Sequence, residues 1–232
     1  MIAQGDVISY TRMCGEEGEN LQRGMNFRIR NSVSVILMSL RPNAPYADRV
    51  EQNGKILIYE GHDIPKKQGG PDPKTVDQQA SSPSGTLTQN GLFGEAAEDY
   101  KRGDSEAELI RVYEKIKSGI WVYNGLFRLV DAWQEHSEFS KVFKFKLDVI
   151  DESISWSNQG NRHVIDHTRL IPTPVKLEVW KRDKGICVKC GSNNNLHFDH
   201  IIPYAKGGSS LVAANIQLLC ARHNLEKSDN IE

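Results

Sequence analysis

Two short spacings near the C-terminal end bring together residues able to do chemistry. Cys187-Val-Lys-Cys190 holds two thiols, and Cys220-Ala-Arg-His223 repeats the spacing with an imidazole in the last place. Three thiolates and one imidazole close a tetrahedron, the coordination structural zinc prefers. Three buried free cysteines would leave the paired spacing without a cause. A segment of about 57 residues has too small a core to hold itself, and zinc would supply folding free energy directly. Between the two pairs, "LHFDHIIP" places Asp199 and His200 side by side in the apolar run Phe198, Ile201, Ile202. Ionisable groups do not enter a buried strand without partners. The bland alternative is a strand edge with two solvated polar groups.

The elements that must position these groups are read from composition and periodicity. The chain has 232 residues, enough for one large or two modest domains. Hydrophobic residues are 38% and charged residues 25%, an ordinary globular composition. No apolar run reaches the roughly 18 residues of a membrane span, and the N-terminus lacks a basic segment followed by an apolar core. A cytoplasmic protein without membrane contact is expected. Net charge is −1, so any basic surface must be local. Four cysteines, three of them clustered, point to metal rather than disulfides in that compartment.

The first 150 residues read mostly as strands. "KILIYE" follows Asn53-Gly54, the dipeptide that best fits a type I′ hairpin turn. "GIWVY" and "LFRLVDAW" flank a second Asn-Gly at Asn124-Gly125. "KVFKFKLDVI" alternates, with Phe143, Phe145 and Leu147 on one face and Lys144 and Lys146 on the other. "AELIRVYEKI" suits helix or strand. "GLFGEAAEDYKRG" predicts a helix with Asn90 as N-cap and Gly103 just past the end. Residues 62–89 form a long loop rich in Pro, Gly, Ser and Lys, and loops of that length are functional or disordered. A polar linker follows, and "PVKLEVWKRDKG" predicts a helix leading into the cysteines.

With "DHIIP", Asn215 in "NIQLLC" and Asn224 directly after His223, the segment from about 176 to 232 resembles the HNH endonucleases and their ββα-metal motif. The resemblance implies that Asp199 and Asn224 hold a catalytic divalent metal and that His200 is the general base. Asn215 would brace the loop that orients His200. Asn224 stands where the family more often has His. A neutral oxygen ligand there suits Mg²⁺ or Mn²⁺ better than zinc. His223 could serve either metal; the two-residue spacing, which needs a fourth ligand, assigns it to zinc. Lys206 and Lys227 are candidates for phosphate contacts or simply for solvated surface.

Tyr46, Asp48 and Tyr59 bracket the Asn53-Gly54 turn. Two aromatic faces and a carboxylate are what a flipped base requires, although core packing explains lone tyrosines as well. The order "PYAD…NGKILIYEGHD", "YNGLFRLVDAW", "KVFKFKL" resembles the SRA domain, a reader of modified cytosine, over about 1–150. Its Tyr-Asp-Gly hallmark is here Tyr123-Asn124-Gly125, which still reads as a turn. The resemblance implies a base pocket made by Tyr46, Asp48 and Tyr59, lined by the backbone at Glu60 and Gly61.

The expectation is an α+β chain. A PUA/SRA-like β-barrel with flanking helices spans 1–150, a linker spans 151–173, and a zinc-stapled HNH domain spans 174–232. It implies a modification-dependent restriction endonuclease that flips 5-methylcytosine or 5-hydroxymethylcytosine in double-stranded DNA, carrying structural Zn²⁺ and catalytic Mg²⁺ or Mn²⁺. One HNH site cuts one strand, and sensing one carbon gives about 10–200-fold selectivity, so a homodimer is expected. A non-catalytic reader and a nuclease triggered by structure or RNA are the competing readings. His163 and His167 in "HVIDH" lack the Glu of a metalloprotease motif.

Overall fold

A computed structural model of the chain describes residues 2–150, 170–228 and 230–231. Residues 151–169 of the expected linker, with His163 and His167, lie outside the described residues. The N-terminal part runs β1 (Val7–Ser9), α1 (Tyr10–Glu17), β2 (Met25–Asn26), β3 (Ser34–Met38), β4 (Arg49–Glu51), β5 (Ile56–Glu60), α2 (Gln89–Arg102), β6 (Leu109–Lys117), β7 (Ile120–His136) and β8 (Lys141–Val149). The C-terminal part is α3 (Thr173–Arg182), β9 (Leu196–His200), β10 (Ile216–Cys220) and α4 (Ala221–Lys227).

The first part is one sheet with strands in the order β2-β3-β6-β7-β8-β5-β4, and β1 pairs with β7. Among the described strands, only β3 and β6 are parallel. Every residue of β5 is buried, which accounts for the unbroken apolar run in its sequence. α2 packs Phe93, Ala96 and Ala97 against Leu57, Phe127, Phe145 and Leu147. Its N-cap is Thr88, whose hydroxyl accepts from the Gly91 amide, and Gly103 closes it at φ +78. Asn90 lies inside the first turn instead. It is buried, with its side chain accepting from the His62 amide and donating to the His62 carbonyl.

Three sequence expectations change. β4 and β5 do form an antiparallel hairpin, but a 3₁₀ turn over Gln52–Gly54 joins them rather than a two-residue I′ turn. Asn124-Gly125 is no turn at all. β7 runs straight through it, and β6 pairs Val112 with Gly125 and then Tyr113 with Tyr123. Asn124 is thus the extra residue of a β-bulge, with Gly125 at φ +104; a bulge re-aims a side chain without ending a strand. Lys144, placed on the polar face by alternation, is buried and pairs with Glu60 at 2.8 Å.

β9 and β10 form an antiparallel pair flanked by α3 and α4. Their core joins the large sheet: Ile116 and Val122 pack in one cluster with Val175, Val179, Phe198, Ile216 and Leu218. Asp6 also bridges to His197 across the junction.

Candidate functional site

The loop 187–190 and the start of α4 bring Cys187, Cys190, Cys220 and His223 together, with ligand atoms all within 4.8 Å of one another. Cys190 Sγ lies 3.8 Å from Cys220 Sγ, and His223 Nδ1 lies 3.3 Å from Cys187 Sγ and 3.4 Å from Cys220 Sγ. A tetrahedron built on Zn–S bonds of about 2.3 Å and Zn–N bonds of about 2.0 Å has edges of roughly 3.5–3.8 Å, so the donor set fits zinc. Burial opposes ionisation of the Cys187 thiol. Backbone N–H groups at Cys220, Cys190 and Lys189, with His223, outweigh it and draw the thiol down to about 6. A zinc ligand must be a thiolate, so this environment favours the bound form.

β9 ends on Asp199 and His200. His200 Nε2 is 2.8 Å from Ser210 Oγ, and its ring meets Tyr204 edge-on. Asn215 closes the intervening loop: its Oδ1 accepts from the Ile202 amide, and its Nδ2 donates to the carbonyls of Ile202 and Ser209. Gly208 is required there, because a Cβ would stand 1.8 Å from the Ile202 carbonyl oxygen. Asp199, His200 and Asn224 line one cleft of about 850 Å³, whose other wall includes Gln4, Arg111, Tyr113 and Tyr123 of the large sheet.

Lys227 contradicts its expected role as a phosphate contact. Its side chain is only 1% exposed; Nζ donates to the His200 carbonyl at 2.6 Å and stands 3.0 Å from Asp199 Oδ2. Asp199 Oδ2 is buried and receives no aligned hydrogen bond among the described residues. Lys227 is thus the cation already paired with Asp199, and Asn224 lines the same cleft; a carboxylate and an amide oxygen are hard donors of the kind a divalent cation takes. Lys206 is exposed.

In the large sheet, Tyr46, Asp48 and Tyr59 line a second cleft of about 810 Å³. Asp48 is fixed by two backbone amides, Glu60 N to Oδ1 at 3.0 Å and Ser39 N to Oδ2 at 3.2 Å. Burial nonetheless raises its carboxyl to about 7. Tyr46 stacks on His62 at 6.0 Å, and Lys74 Nζ sits 4.0 Å over the Tyr46 ring. Tyr46 thus stacks on His62, while Tyr59 packs in the core of the sheet and is 1% exposed. Glu60 and Gly61 are not among the residues lining this cleft. Glu60 turns to Lys144 and to the Ala47 amide, where it anchors the segment carrying Tyr46. Gly61 is squeezed between Asn90 and Gln78, where a Cβ would stand 2.6–2.7 Å from their side-chain oxygens. His62 and Lys74 escaped sequence reasoning; the only sign of Lys74 was its place in the long polar loop.

The bulge points Asn124 into a buried junction. Lys176 Nζ, from α3, is 2.6 Å from Asn124 Oδ1 and 2.7 Å from Glu114 Oε2, while Asn124 Nδ2 donates to Glu114 at 3.0 Å. An Asp here could not make that donation, which gives a physical reason for the departure from Tyr-Asp-Gly.

No curated protein matches the chain. Several solved structures are similar to it. The SUVH5 SRA domain in complex with hemi-methylated CG DNA is 25% identical over 64% of this chain and 89% of its own, with a TM-score of 0.44. The modification-dependent TagI restriction endonuclease is 21% identical over 98% of this chain and 78% of its own, with a TM-score of 0.40. KRYPTONITE in complex with mCHG DNA and SAH is 17% identical over 71% of this chain and 34% of its own, with a TM-score of 0.45. The HNH endonuclease family model matches residues 187–230, over the Cys187-Cys190-Cys220-His223 cluster and the Asp199 cleft. The SAD/SRA domain model matches residues 4–153, more than half the chain, and the protein belongs to that family, with an HNH endonuclease domain at its C-terminal side.

Proposed function

We propose that the protein is a modification-dependent DNA endonuclease, with a reader over 1–150, a linker over 151–173 and a nuclease over 174–232. The observation that carries the reading is the single cleft lined by Asp199, His200 and Asn224, with Asn215 closing the loop beneath it. Phosphodiester hydrolysis needs a deprotonated water and relief of charge at the phosphate. His200 takes the proton from water, and Ser210 and the Asn215-braced loop hold its ring in place. Asp199 and Asn224 would hold Mg²⁺ or Mn²⁺, which would supply charge neutralisation for the phosphate and the leaving oxygen. Lys227 fixes the Asp199-His200 pair from behind, and Lys206 faces the phosphates. Cys187, Cys190, Cys220 and His223 hold zinc as a structural staple.

On the reader side, double-stranded DNA gives up one modified cytosine to the second cleft. Tyr46 and Tyr59 supply aromatic walls, and Asp48 contacts the Watson–Crick edge. Selectivity for one carbon in such a pocket is about 10–200-fold. Two copies acting together would multiply that preference and cut both strands, so the active form is a homodimer. The test offers duplexes bearing cytosine, 5-methylcytosine or 5-hydroxymethylcytosine, with Mg²⁺ or Mn²⁺. Cleavage restricted to the modified duplexes is expected. Selective binding without cleavage in either metal would reduce the protein to a reader.

A further inference from the structure

The segment that leads into β1 and α1 belongs to both parts of the molecule. β1 pairs with β7, from Val7 opposite Val122 to Ser9 opposite Ile120. Just ahead of it, the Gly5 amide donates to the Tyr123 carbonyl at 2.9 Å, and the Tyr123 amide donates to the Asp6 carbonyl at 3.0 Å. The opposite edge of the same two residues meets β9. The Phe198 amide donates to the Gly5 carbonyl at 3.1 Å, and Asp6 bridges antiparallel to His197. Along its other edge β9 pairs with β10, from Leu196 opposite Cys220 to His200 opposite Ile216. Backbone hydrogen bonds therefore run without a break from β7 of the large sheet to the β9–β10 hairpin, and they reach it at the residue directly before Asp199.

The crossing itself calls for glycine. Gly5 has φ +94, and a Cβ there would stand 3.0 Å from the Phe198 carbonyl oxygen. Side chains fasten the same seam. The Asp6 carboxylate contacts His197 Nδ1, with both side chains largely buried. Arg12 of α1 donates to Asn195 Oδ1 at 2.7 Å, just before β9, and Gln4 Nε2 donates to the Asn124 carbonyl at 3.1 Å. Val122 of β7 packs in one cluster with Phe198, Ile216 and Leu218. Two modules joined only by a flexible tether sample a range of separations set by its length. A continuous ladder over a shared, close-packed core fixes one separation instead.

Resting on the reading of the Asp199 cleft as the nuclease and the Tyr46 cleft as the reader, we propose that Gly5 and Asp6 determine where the DNA is cut. They are positioning residues. They lock β9, which ends on Asp199 and His200, to the sheet that runs from β7 through β8 to β5, the strand carrying Tyr59. The spacing between the modified base and the cut phosphodiester is then a constant of the fold, and the reader selects the phosphate presented to His200. Reacting groups tolerate little play: a misplacement of about 1 Å costs about 10²-fold in rate.

The test uses the full chain and end-labelled duplexes with one modified cytosine in each strand. Cuts are mapped to the nucleotide under single turnover with Mg²⁺ or Mn²⁺, and binding is titrated without divalent metal. The parental protein is expected to cut in one narrow window at a constant offset from the modified base. Gly5→Val should shift or widen that window and slow cleavage about tenfold or more, with the dissociation constant for the modified duplex unchanged. Asp6→Ala leaves the backbone ladder in place and should act in the same direction, which keeps the test open should Gly5→Val fail to fold. Amide exchange reads the seam without DNA: the Phe198 amide should be protected in the parent and exposed in Gly5→Val. Parental cuts spread over many offsets, an exposed Phe198 amide in the parent, or variants whose maps and rates match the parent would each overturn the proposal and leave the endonuclease reading intact. Absence of parental cleavage with a protected Phe198 amide would instead overturn the endonuclease reading, and the proposal with it. Equal binding of modified and unmodified duplexes would overturn the reader, on which the offset depends.

Discussion

Lys176 Nζ stands 2.7 Å from Glu114 Oε2, with both side chains 2% exposed, and this pair joins α3 of the HNH part to β6 of the large sheet. Burial pushes the Glu114 carboxyl up, but the ammonium and the hydrogen bonds from Lys176, Thr173 and Asn124 outweigh it and hold the group below its ordinary value. Removing one partner of a buried pair leaves an uncompensated charge, at a cost of about 3–5 kcal/mol. Lys176→Met should therefore lower the urea midpoint strongly, and Asn124→Asp, which sets two carboxylates against one ammonium, should lower it too. Adding Glu114→Gln to Lys176→Met should recover part of the loss. Unchanged midpoints in both single variants would show that the junction contributes nothing to stability.

His200→Ala should abolish DNA cleavage while leaving binding to modified DNA intact. A general base contributes about 10²–10⁴-fold, and His200 lines the nuclease cleft, not the reader cleft. Single-turnover cleavage beside an anisotropy titration measures both. A variant that cuts near the parental rate would remove His200 from the chemistry.

Cys187→Ser or Cys220→Ser should lose stoichiometric zinc and melt the β9–β10 unit, because site formation and folding are coupled. Metal analysis by mass spectrometry reads the first effect, and amide exchange over residues 187–227 reads the second. Asn224→His leaves the zinc set untouched and should keep its zinc content. Parental protein purified without zinc would remove the staple.

Lys227→Met should lower cleavage by about tenfold or more, since Nζ holds both the His200 carbonyl and the Asp199 carboxylate. DNA affinity should keep its salt dependence. A lysine that neutralised one phosphate would lower the slope of log K against log salt by about 0.9 on removal. A slope reduced by that amount, with cleavage unchanged, would return Lys227 to the DNA surface.

The second cleft, lined by Asp48 and His62, holds two opposed titrations. The folded protein keeps the proton on Asp48 up to about pH 7, against an ordinary value of 3.8, so this group makes stability fall as pH rises through that window. The folded protein refuses a proton on His62 down to about pH 4, against 6.5, so this group makes stability rise with pH over much the same range. Each slope is at most about 1.4 kcal/mol per pH unit. Relative to the parent, Asp48→Asn should gain stability as pH rises from 4 to 7, and His62→Gln should lose it from 4 to 6.5. Urea unfolding at four pH values reads both; parent and variant curves that stay parallel would refute the assignment.

The sequence by itself determined the parts whose partners are close along the chain. The paired two-residue spacings of Cys187, Cys190, Cys220 and His223 named the cluster that meets in the structure because each pair spans a single turn. Period-2 alternation marked β8, and the stretch from Asn90 to Gly103 marked α2 to within two residues of its cap at Thr88, because strand and helix periods are local properties. Asp199, His200 and Asn215 were legible as a motif on one strand–loop–strand unit.

Only the tertiary structure decided the rest, since burial and pairing depend on what folds over a residue. Lys144, Lys176 and Lys227 look like solvated cations in sequence. Each is buried because a carboxylate distant in the chain, Glu60, Glu114 or Asp199, faces it across a packed interface. Asn124-Gly125 reads as a turn because φ > 0 is common to turns and bulges; the register of β6 against β7 separates them. Tyr46 finds His62 and Lys74, not Tyr59, because the long loop folds back over the cleft. The second cleft is lined from several separate chain segments, and no spacing along one segment encodes which side chains meet there.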